Sequence, residues 1–164
     1  MEVADRVVLI TGASSGVGAA LATQLADMGA LVVVNYSRSA EAAEAVVEQI
    51  TGAGGQALAV QADVSEEADC KRLVATTVEH FGQLDVLVNN AGTTTFVPHD
   101  QLDALTEDIW LRTLRVNLIG AFIMSREAAP HIEAAGGGEI VMTSSIASMT
   151  ANGSSIAYCA SKAG

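Results

Sequence analysis

A short apolar run that leads through a glycine-rich loop into a helical segment constrains this chain most. The run is Val7–Ile10, and glycines stand at positions 12, 16 and 18 of the loop that follows. Glycines let the backbone turn sharply and approach a ligand closely, and the free N–H groups at a helix start attract an anion. The order strand, glycine loop, helix therefore predicts a site for the pyrophosphate of a nucleotide. A glycine loop alone would also suit an ordinary strand-to-helix turn.

The rest of the chain repeats this alternation of apolar strand and amphipathic helix, at intervals of roughly 25 residues. Further apolar runs lie at 31–34, 57–60, 86–88 and 139–142. Runs that are rich in β-branched residues and lack polar alternation are typical of parallel strands buried on both faces. The pattern predicts an α/β fold, a doubly wound parallel sheet of Rossmann type with five strands. Residues 1–164 show no clear linker and are expected to form a single domain, with its ligand beyond the carboxyl ends of the strands.

Three local expectations follow from helical spacing and capping preferences. Leu21, Leu25 and Met28 recur at helical spacing and are expected to form the buried side of the first helix, which Gly29 ends. Ser65 is expected to cap the third helix.

The fourth helical segment is long and apolar on more than one side. It is expected to begin near Thr106 and to run towards Pro130, with Leu111, Leu118 and Phe122 off its main apolar stripe. A helix of this kind is buried twice, which favours packing against its own sheet and against a second subunit.

The charge balance excludes two classes of partner. Acidic residues outnumber basic ones by 19 to 8, which gives a net charge of -11. Such a surface repels nucleic acid and anionic membranes, and an acidic surface also serves solubility. Two cysteines, Cys70 and Cys159, suit a reducing cytoplasm, and no apolar run approaches the roughly 20 residues of a membrane span. We expect a cytoplasmic protein, and no spacing of histidines suggests a metal site.

Five marks, in a fixed order along the chain, coincide with the pattern of one known family. They are Thr11-Gly12-x-x-x-Gly16-x-Gly18, Asp63-Val64, Asn89-Asn90-Ala91-Gly92, Val116-Asn117, and Ser145 thirteen residues before Tyr158-x-x-x-Lys162. Together they resemble the short-chain dehydrogenase/reductase family, compact type, over the whole length of the chain. Among its members the chain is most similar to the 3-oxoacyl-carrier-protein reductase and glucose-dehydrogenase-like branch.

The last of these marks predicts acid–base chemistry. Tyr158 and Lys162 are four residues apart and therefore share one face of a helix. A phenol with a pKa of about 10 is a poor base at neutral pH. A nearby ammonium and a positively charged nicotinamide favour its phenolate form, so Tyr158 can exchange a proton with an alcohol or a carbonyl. Ser145 can hold the same oxygen. The resemblance implies that Lys162 also binds the nicotinamide ribose and that Asn117 supports a proton-relaying water.

The resemblance also implies a dinucleotide cofactor. Its expected contacts, besides Tyr158 and Lys162, are Gly12, Ser14, Ser15, Gly16, Val17, Gly18, Tyr36, Arg38, Asp63, Val64, Asn90, Ala91 and Gly92. Enzymes that use NAD commonly carry Asp or Glu at the end of the second strand. Tyr36 stands there instead, and Arg38 can pair with a 2′-phosphate. NADP(H) is favoured, with NAD(H) as the alternative because Ser15 stands where many NADP-dependent members carry Arg or Lys.

The resemblance further implies segments that these 164 residues lack, namely two more strands and a mobile loop over the substrate. The main hypothesis is an NADP(H)-dependent oxidoreductase that transfers hydride between the nicotinamide and a small-molecule ketone or secondary alcohol. The alternative is a catalytically inactive fragment that retains only nucleotide binding or subunit pairing. A homo-oligomer is expected for the longer parent, with weaker association for this chain.

Overall fold

The five strands form one parallel sheet. The computed structural model describes residues 3–164, and its strands are β1 (Val7–Ile10), β2 (Leu31–Tyr36), β3 (Gln56–Gln61), β4 (Val86–Asn89) and β5 (Glu139–Met142). They stand in the order β3-β2-β1-β4-β5, and each pairing is parallel. Val8 of β1, for example, pairs with Val32 of β2 on one side and with Val86 of β4 on the other. The predicted doubly wound sheet is confirmed. β2 and β3 lie on one side of β1, and β4 and β5 lie on the other, so the strand order changes direction between β1 and β4.

Helices cover both faces of the sheet. They are α1 (Gly16–Asp27), α2 (Ala40–Gly52), α3 (Glu67–Phe81), α4 (Glu107–Leu114), α5 (Ala121–Ala134), α6 (Ala147–Thr150) and α7 (Ile156–Ala163). A 3-10 turn occupies Leu102–Ala104, and a π-helical segment, Arg115–Gly120, joins α4 to α5. Alternate residues of β1 point to opposite faces, so Val8 and Ile10 pack under α1 and α2 while Val7 and Leu9 pack under α3 and α5.

The buried side of α1 differs from the one predicted. Met28 follows the last helical residue and is 61% exposed, and Leu21 and Leu25 are only partly buried. The side that faces the sheet consists of Gly18, Ala22 and Ala26 instead. Small residues face the sheet because they let α1 pack closely against it, which larger apolar side chains would prevent. Gly29, with φ +89°, does end the helix as expected.

One expectation about a helix end was wrong. Ser65 does not cap α3, which begins two residues later at Glu67; its hydroxyl donates to Asp63 Oδ1 at 2.7 Å instead. An acceptor in the preceding turn thus competes with the helix for the serine side chain.

The long fourth helical segment begins at Glu107, directly after Thr106, as expected. It runs past Pro130 and ends at Ala134, so this proline lies inside the last turns of α5.

The fifth strand is exposed along its whole length, whereas β1 and β4 are fully buried. Ile140, Val141 and Met142 are 38%, 42% and 53% accessible to solvent. Among residues 3–164 this strand has β4 as its single neighbour, so it forms an edge of the sheet. Its apolar side chains therefore lie on the surface of this part of the chain.

Candidate active site

The loops that follow β1 and β4 are tied together by two polar side chains. Thr11 Oγ1 accepts the backbone N–H groups of Asn90 and Ala91, each at 3.0 Å. In return, Asn90 Nδ2 donates to the carbonyl oxygens of Thr11 at 3.0 Å and Gly12 at 3.1 Å. The glycine loop and the loop after β4 are therefore one rigid unit at the carboxyl edge of the sheet.

Asn35, at the end of β2, joins this unit to β3, although sequence reasoning did not single it out. Asn35 is buried, with only 2% of its surface exposed. Oδ1 accepts the N–H of Gly12 at 3.1 Å, and Nδ2 donates to the carbonyls of Val60 at 3.2 Å and Ala62 at 3.1 Å. The sequence does contain a signal for this role: Asn35 is an amide at the end of an apolar run, and a polar side chain that is buried needs hydrogen-bond partners.

Three glycines shape the loop between β1 and α1. Gly12 and Gly16 have φ values of +63° and +57°, a region that favours glycine. A Cβ atom at Gly18 would lie 2.6 Å from both Asn90 Nδ2 and the carbonyl oxygen of Gly12. Ser15 occupies the N-cap position of α1, but its side chain makes no capping hydrogen bond. The first N–H groups of α1 are left for a ligand, as phosphate binding requires.

These loops enclose a cleft of about 390 Å³. Ten of the predicted cofactor contacts line it: Gly12, Ser14, Ser15, Tyr36, Arg38, Asp63, Val64, Asn90, Ala91 and Gly92. The next three, Gly16, Val17 and Gly18, open α1 and are not part of the lining. The lining also contains residues that the sequence did not single out, among them Thr93 and Arg112. A cleft of this kind across the carboxyl ends of parallel strands suits a dinucleotide.

The Asp63 carboxylate is held in place at the wall of the cleft. Its Oδ1 accepts both the backbone N–H of Ser65 at 2.9 Å and the Ser65 hydroxyl at 2.7 Å. The backbone N–H of Asp63 donates to Asp69 Oδ2 at 2.8 Å, and this bond, together with the Arg72 guanidinium, lowers the pKa of Asp69. Among residues 3–164, the second oxygen of Asp63 makes no hydrogen bond and is available to a ligand.

Lys162 and Tyr158 lie one turn apart on the short helix α7. Ser155 caps this helix by accepting the N–H of Tyr158 at 3.2 Å, which fixes Tyr158 in the first turn. Lys162 Nζ donates to the carbonyl oxygen of Thr143 at 2.7 Å, and partial burial lowers the pKa of this ammonium. A Cβ atom at Gly92, which lines the cleft, would lie 3.7 Å from the same nitrogen. In the described part of the chain neither Lys162 nor Tyr158 lines the cleft itself; Lys162 lines a second cavity of about 460 Å³ together with Asn117 and Ser144. The Tyr158 hydroxyl has no hydrogen-bond partner within the described part of the chain.

Asn117 connects the cleft to α7. It lies in the π-helical segment, where its Oδ1 accepts the N–H of Thr93 at 2.7 Å. Its Nδ2 donates to the carbonyl of Thr93 and to Ser161 Oγ, both at 2.9 Å. This side chain thus fixes the loop after β4 against the helix that carries Tyr158 and Lys162. The π-helical turn brings an amide to that position, as such turns often do at functional sites.

The neighbouring serines after β5 have different partners. Ser144 Oγ donates to the carbonyl oxygen of Lys162 at 3.1 Å, so it holds α7. Ser145 Oγ accepts the N–H of Ala147 at 3.2 Å and keeps its own proton for another acceptor. A hydroxyl in that state can donate to a substrate oxygen, which fits the role expected for Ser145.

Other features of the described residues limit the chemistry. Residues 3–164 hold no group of three or more His, Cys, Asp or Glu side chains placed to bind a metal ion. Cys70 and Cys159 are free and buried, and burial raises the pKa of Cys70 to about 11. Within the same range, no helix has both the length and the apolar character to span a membrane.

The sequence of this chain matches known proteins of one family. Residues 6–164 match the family model of the short chain dehydrogenases. The chain is 48% identical over 158 residues to ketoacyl reductase 2 of the granaticin polyketide synthase of Streptomyces violaceoruber, covering 96% of this chain and 62% of that protein. Versicolorin reductase 1 of Aspergillus parasiticus is 47% identical over 140 residues, with coverages of 85% and 52%.

Solved structures agree with these matches. A short-chain dehydrogenase/reductase from Burkholderia xenovorans superposes with a TM-score of 0.93 at 37% identity, covering 96% of this chain and 66% of that one. A short-chain dehydrogenase from Burkholderia cenocepacia in complex with NADP superposes with a TM-score of 0.89 at 39% identity, with coverages of 99% and 65%. The chain therefore spans between about half and two thirds of the length of these proteins.

Proposed function

Because this chain belongs to the short-chain dehydrogenase/reductase family, we propose that it forms the cofactor-binding and catalytic part of an NADP(H)-dependent oxidoreductase. The reaction is hydride transfer between the nicotinamide and a small-molecule ketone or secondary alcohol. One observation carries the proposal: Lys162 Nζ lies beside Gly92 of the cleft wall, one helical turn from a phenol that makes no hydrogen bond within residues 3–164. In this proposal residues 1–164 act as one dinucleotide-binding domain.

The cleft fits a dinucleotide on three counts. Gly12 lines the cleft with a φ of +63°, which favours glycine, and no side chain among residues 3–164 caps the N-terminus of α1. No carboxylate occupies positions 35–39, which line the cleft after β2. The Arg38 guanidinium makes no ion pair with any of residues 3–164, so it is available to a 2′-phosphate. These features favour NADP(H), with NAD(H) as the alternative.

The proton chemistry is assigned to this chain's own side chains. When bound, the nicotinamide supplies the hydride in reduction and accepts it in oxidation. In reduction Tyr158 donates its proton to the carbonyl oxygen as negative charge develops there, and Ser145 donates a hydrogen bond to the same oxygen. The Lys162 ammonium stabilises the resulting phenolate, and Asn117 holds α7 in register with the cleft. In oxidation the same groups act in reverse.

The substrate is proposed to be a ketone on a largely apolar, aromatic framework. Phe96, Ile146 and Met149 are all exposed and lie in segments that flank Ser145 and Tyr158. The backbone N–H of Val97 donates to the carbonyl of Ser154 at 2.8 Å, which places the Phe96 loop against the segment that leads into α7. The names of the relatives, a ketoacyl reductase and a versicolorin reductase, support this class.

Two further proposals concern the longer protein. We propose that it is a homo-oligomer that pairs through the outer side of α4 and α5, where Leu111 and Phe122 are 48% and 62% exposed. A cytoplasmic location is also proposed, which the two free, buried cysteines support.

The experiment compares this chain with a fusion that adds the remaining third of the Streptomyces relative. NADPH oxidation is followed by absorbance with a panel of aromatic and β-keto thioester ketones, and folding is checked by circular dichroism. Turnover by the fusion, with NADPH preferred over NADH, would support the proposal. Folded proteins that bind NADPH but reduce no ketone in either form would favour the alternative, a chain that only binds nucleotide or pairs subunits. The partial coverage of the relatives is the observation behind that alternative.

A further inference from the structure

Within residues 3–164, three arginines make no side-chain hydrogen bond or ion pair, namely Arg38, Arg112 and Arg115, and the first two line the cleft. Five of the eight lysines and arginines are engaged elsewhere, four in ion pairs and one with a backbone carbonyl: Arg6, Lys71, Arg72, Arg126 and Lys162. Arg38 and Arg112 line the cleft, and neither guanidinium makes a hydrogen bond or an ion pair within the described part of the chain. In a chain of net charge -11, two unpaired guanidinium groups at one cleft indicate a ligand that attracts them.

The two arginines reach the cleft from opposite sides of the sheet. Arg38 precedes α2, which packs on one face, while Arg112 belongs to α4, which continues into α5 on the other face. Arg38 stands beside Ser37 at the end of β2, where the 2′-phosphate is proposed to bind. Arg112 therefore needs a different partner.

The wall next to Arg112 suits a flat heterocycle. Val64, Ala91 and Val116 give it apolar surface, and the free oxygen of Asp63 gives it an acceptor for an amino group. Arg112 in α4 and Val116 in the π-helical segment that follows both line the cleft. A planar guanidinium stacks well on an aromatic ring, whereas an ammonium lacks the plane for it.

We propose that Arg112 closes the adenine end of the cleft by stacking its guanidinium on the adenine ring. This role rests on the proposed function, because it requires a bound adenine dinucleotide. It differs from the role of Arg38, because adenine is common to NADPH, NADH and ADP, whereas the 2′-phosphate is present in NADPH alone.

The test measures the Kd of NADPH, NADH and ADP for the 164-residue chain by calorimetry and displacement. Arg112→Ala is expected to raise all three Kd values by the same factor, roughly three- to fivefold for a partly exposed cation–π contact. Arg112→Lys, which keeps the charge without the plane, is expected not to restore affinity. Arg115→Ala is the matched control, since Arg115 lies three residues along the same helix and outside the cleft lining. It should leave all three Kd values unchanged.

Three results would overturn the inference while leaving the proposed function intact. They are unchanged Kd values in Arg112→Ala, a loss confined to NADPH, and full restoration by Arg112→Lys. A folded wild-type chain that binds neither dinucleotide would overturn the proposed function and this inference with it.

Discussion

The buried amide of Asn35 is expected to hold the cleft together, and its removal should be costly. Asn35→Ala deletes four hydrogen bonds, one from the Gly12 N–H and three to the carbonyls of Tyr36, Val60 and Ala62. Each is worth about 1 kcal/mol, and the carbonyls of the buried Val60 and Ala62 are left in a site that water reaches poorly. We therefore expect the free energy of unfolding to fall by about 2–4 kcal/mol. Urea titration followed by far-ultraviolet circular dichroism measures this as a lower midpoint at an unchanged slope.

A second variant separates hydrogen bonding from mere loss of volume. Asn35→Asp keeps the size and the acceptor for Gly12, but it turns the donor to Val60 and Ala62 into a carboxylate oxygen that faces two carbonyls. It should therefore destabilise the chain at least as much as Asn35→Ala. Asn152→Ala, at an exposed asparagine, is the control and should change stability by less than about 0.5 kcal/mol. An Asn35→Ala protein as stable as this control would refute the reasoning.

Three further predictions concern stability and reactivity. Gly18→Ala should lower the free energy of unfolding by about 1–3 kcal/mol, because its Cβ would overlap Asn90 Nδ2. Gly52→Ala, which lies in open space within α2, should raise it by about 0.5–1 kcal/mol. Thermal melts that rank the two variants the other way would contradict this. The pKa of Asp69 is lowered in the folded state, so its stabilising effect is present above its ordinary value of 3.8 and is lost as pH falls below it. The difference in urea midpoint between wild type and Asp69→Asn should therefore be full near pH 6 and should shrink as pH falls below 3.8, and a constant difference would argue against it. Cys70, buried and with a pKa of about 11, should react with a thiol reagent at pH 8 only after unfolding; rapid labelling of Cys70 in the folded chain would be the contrary result.

The strands and their order along the chain could be predicted because burial on both faces leaves an uninterrupted apolar run. The meeting of the residues that follow the strands could also be predicted, because parallel strands bring their carboxyl ends to one edge of the sheet. This is why ten of the expected cofactor contacts meet in one cleft. β5 shows the limit of the argument: an apolar run predicts a strand, but burial depends on what covers that strand, and Ile140 to Met142 are exposed.

Contacts between distant residues could not be predicted in this way. Asn35 bonds to residues up to 27 positions away, and no spacing rule reports such a partner. Arg112 lines the cleft together with residues that follow β1 and β2, and no spacing in the sequence reports this neighbourhood. The predicted buried side of α1 was wrong. The prediction followed the spacing of the large apolar residues, whereas α1 lies close to the sheet and therefore buries small residues such as Gly18 and Ala22.

The most direct test of the central claim is the rate of NADPH oxidation by the fused protein when Tyr158 is changed to Phe. The account predicts a loss of at least about 100-fold in kcat, the usual contribution of a positioned acid or base, with an unchanged Kd for NADPH. A Tyr158→Phe protein that reduces the ketone as fast as wild type would contradict the assignment of Tyr158 as the acid and base of this site.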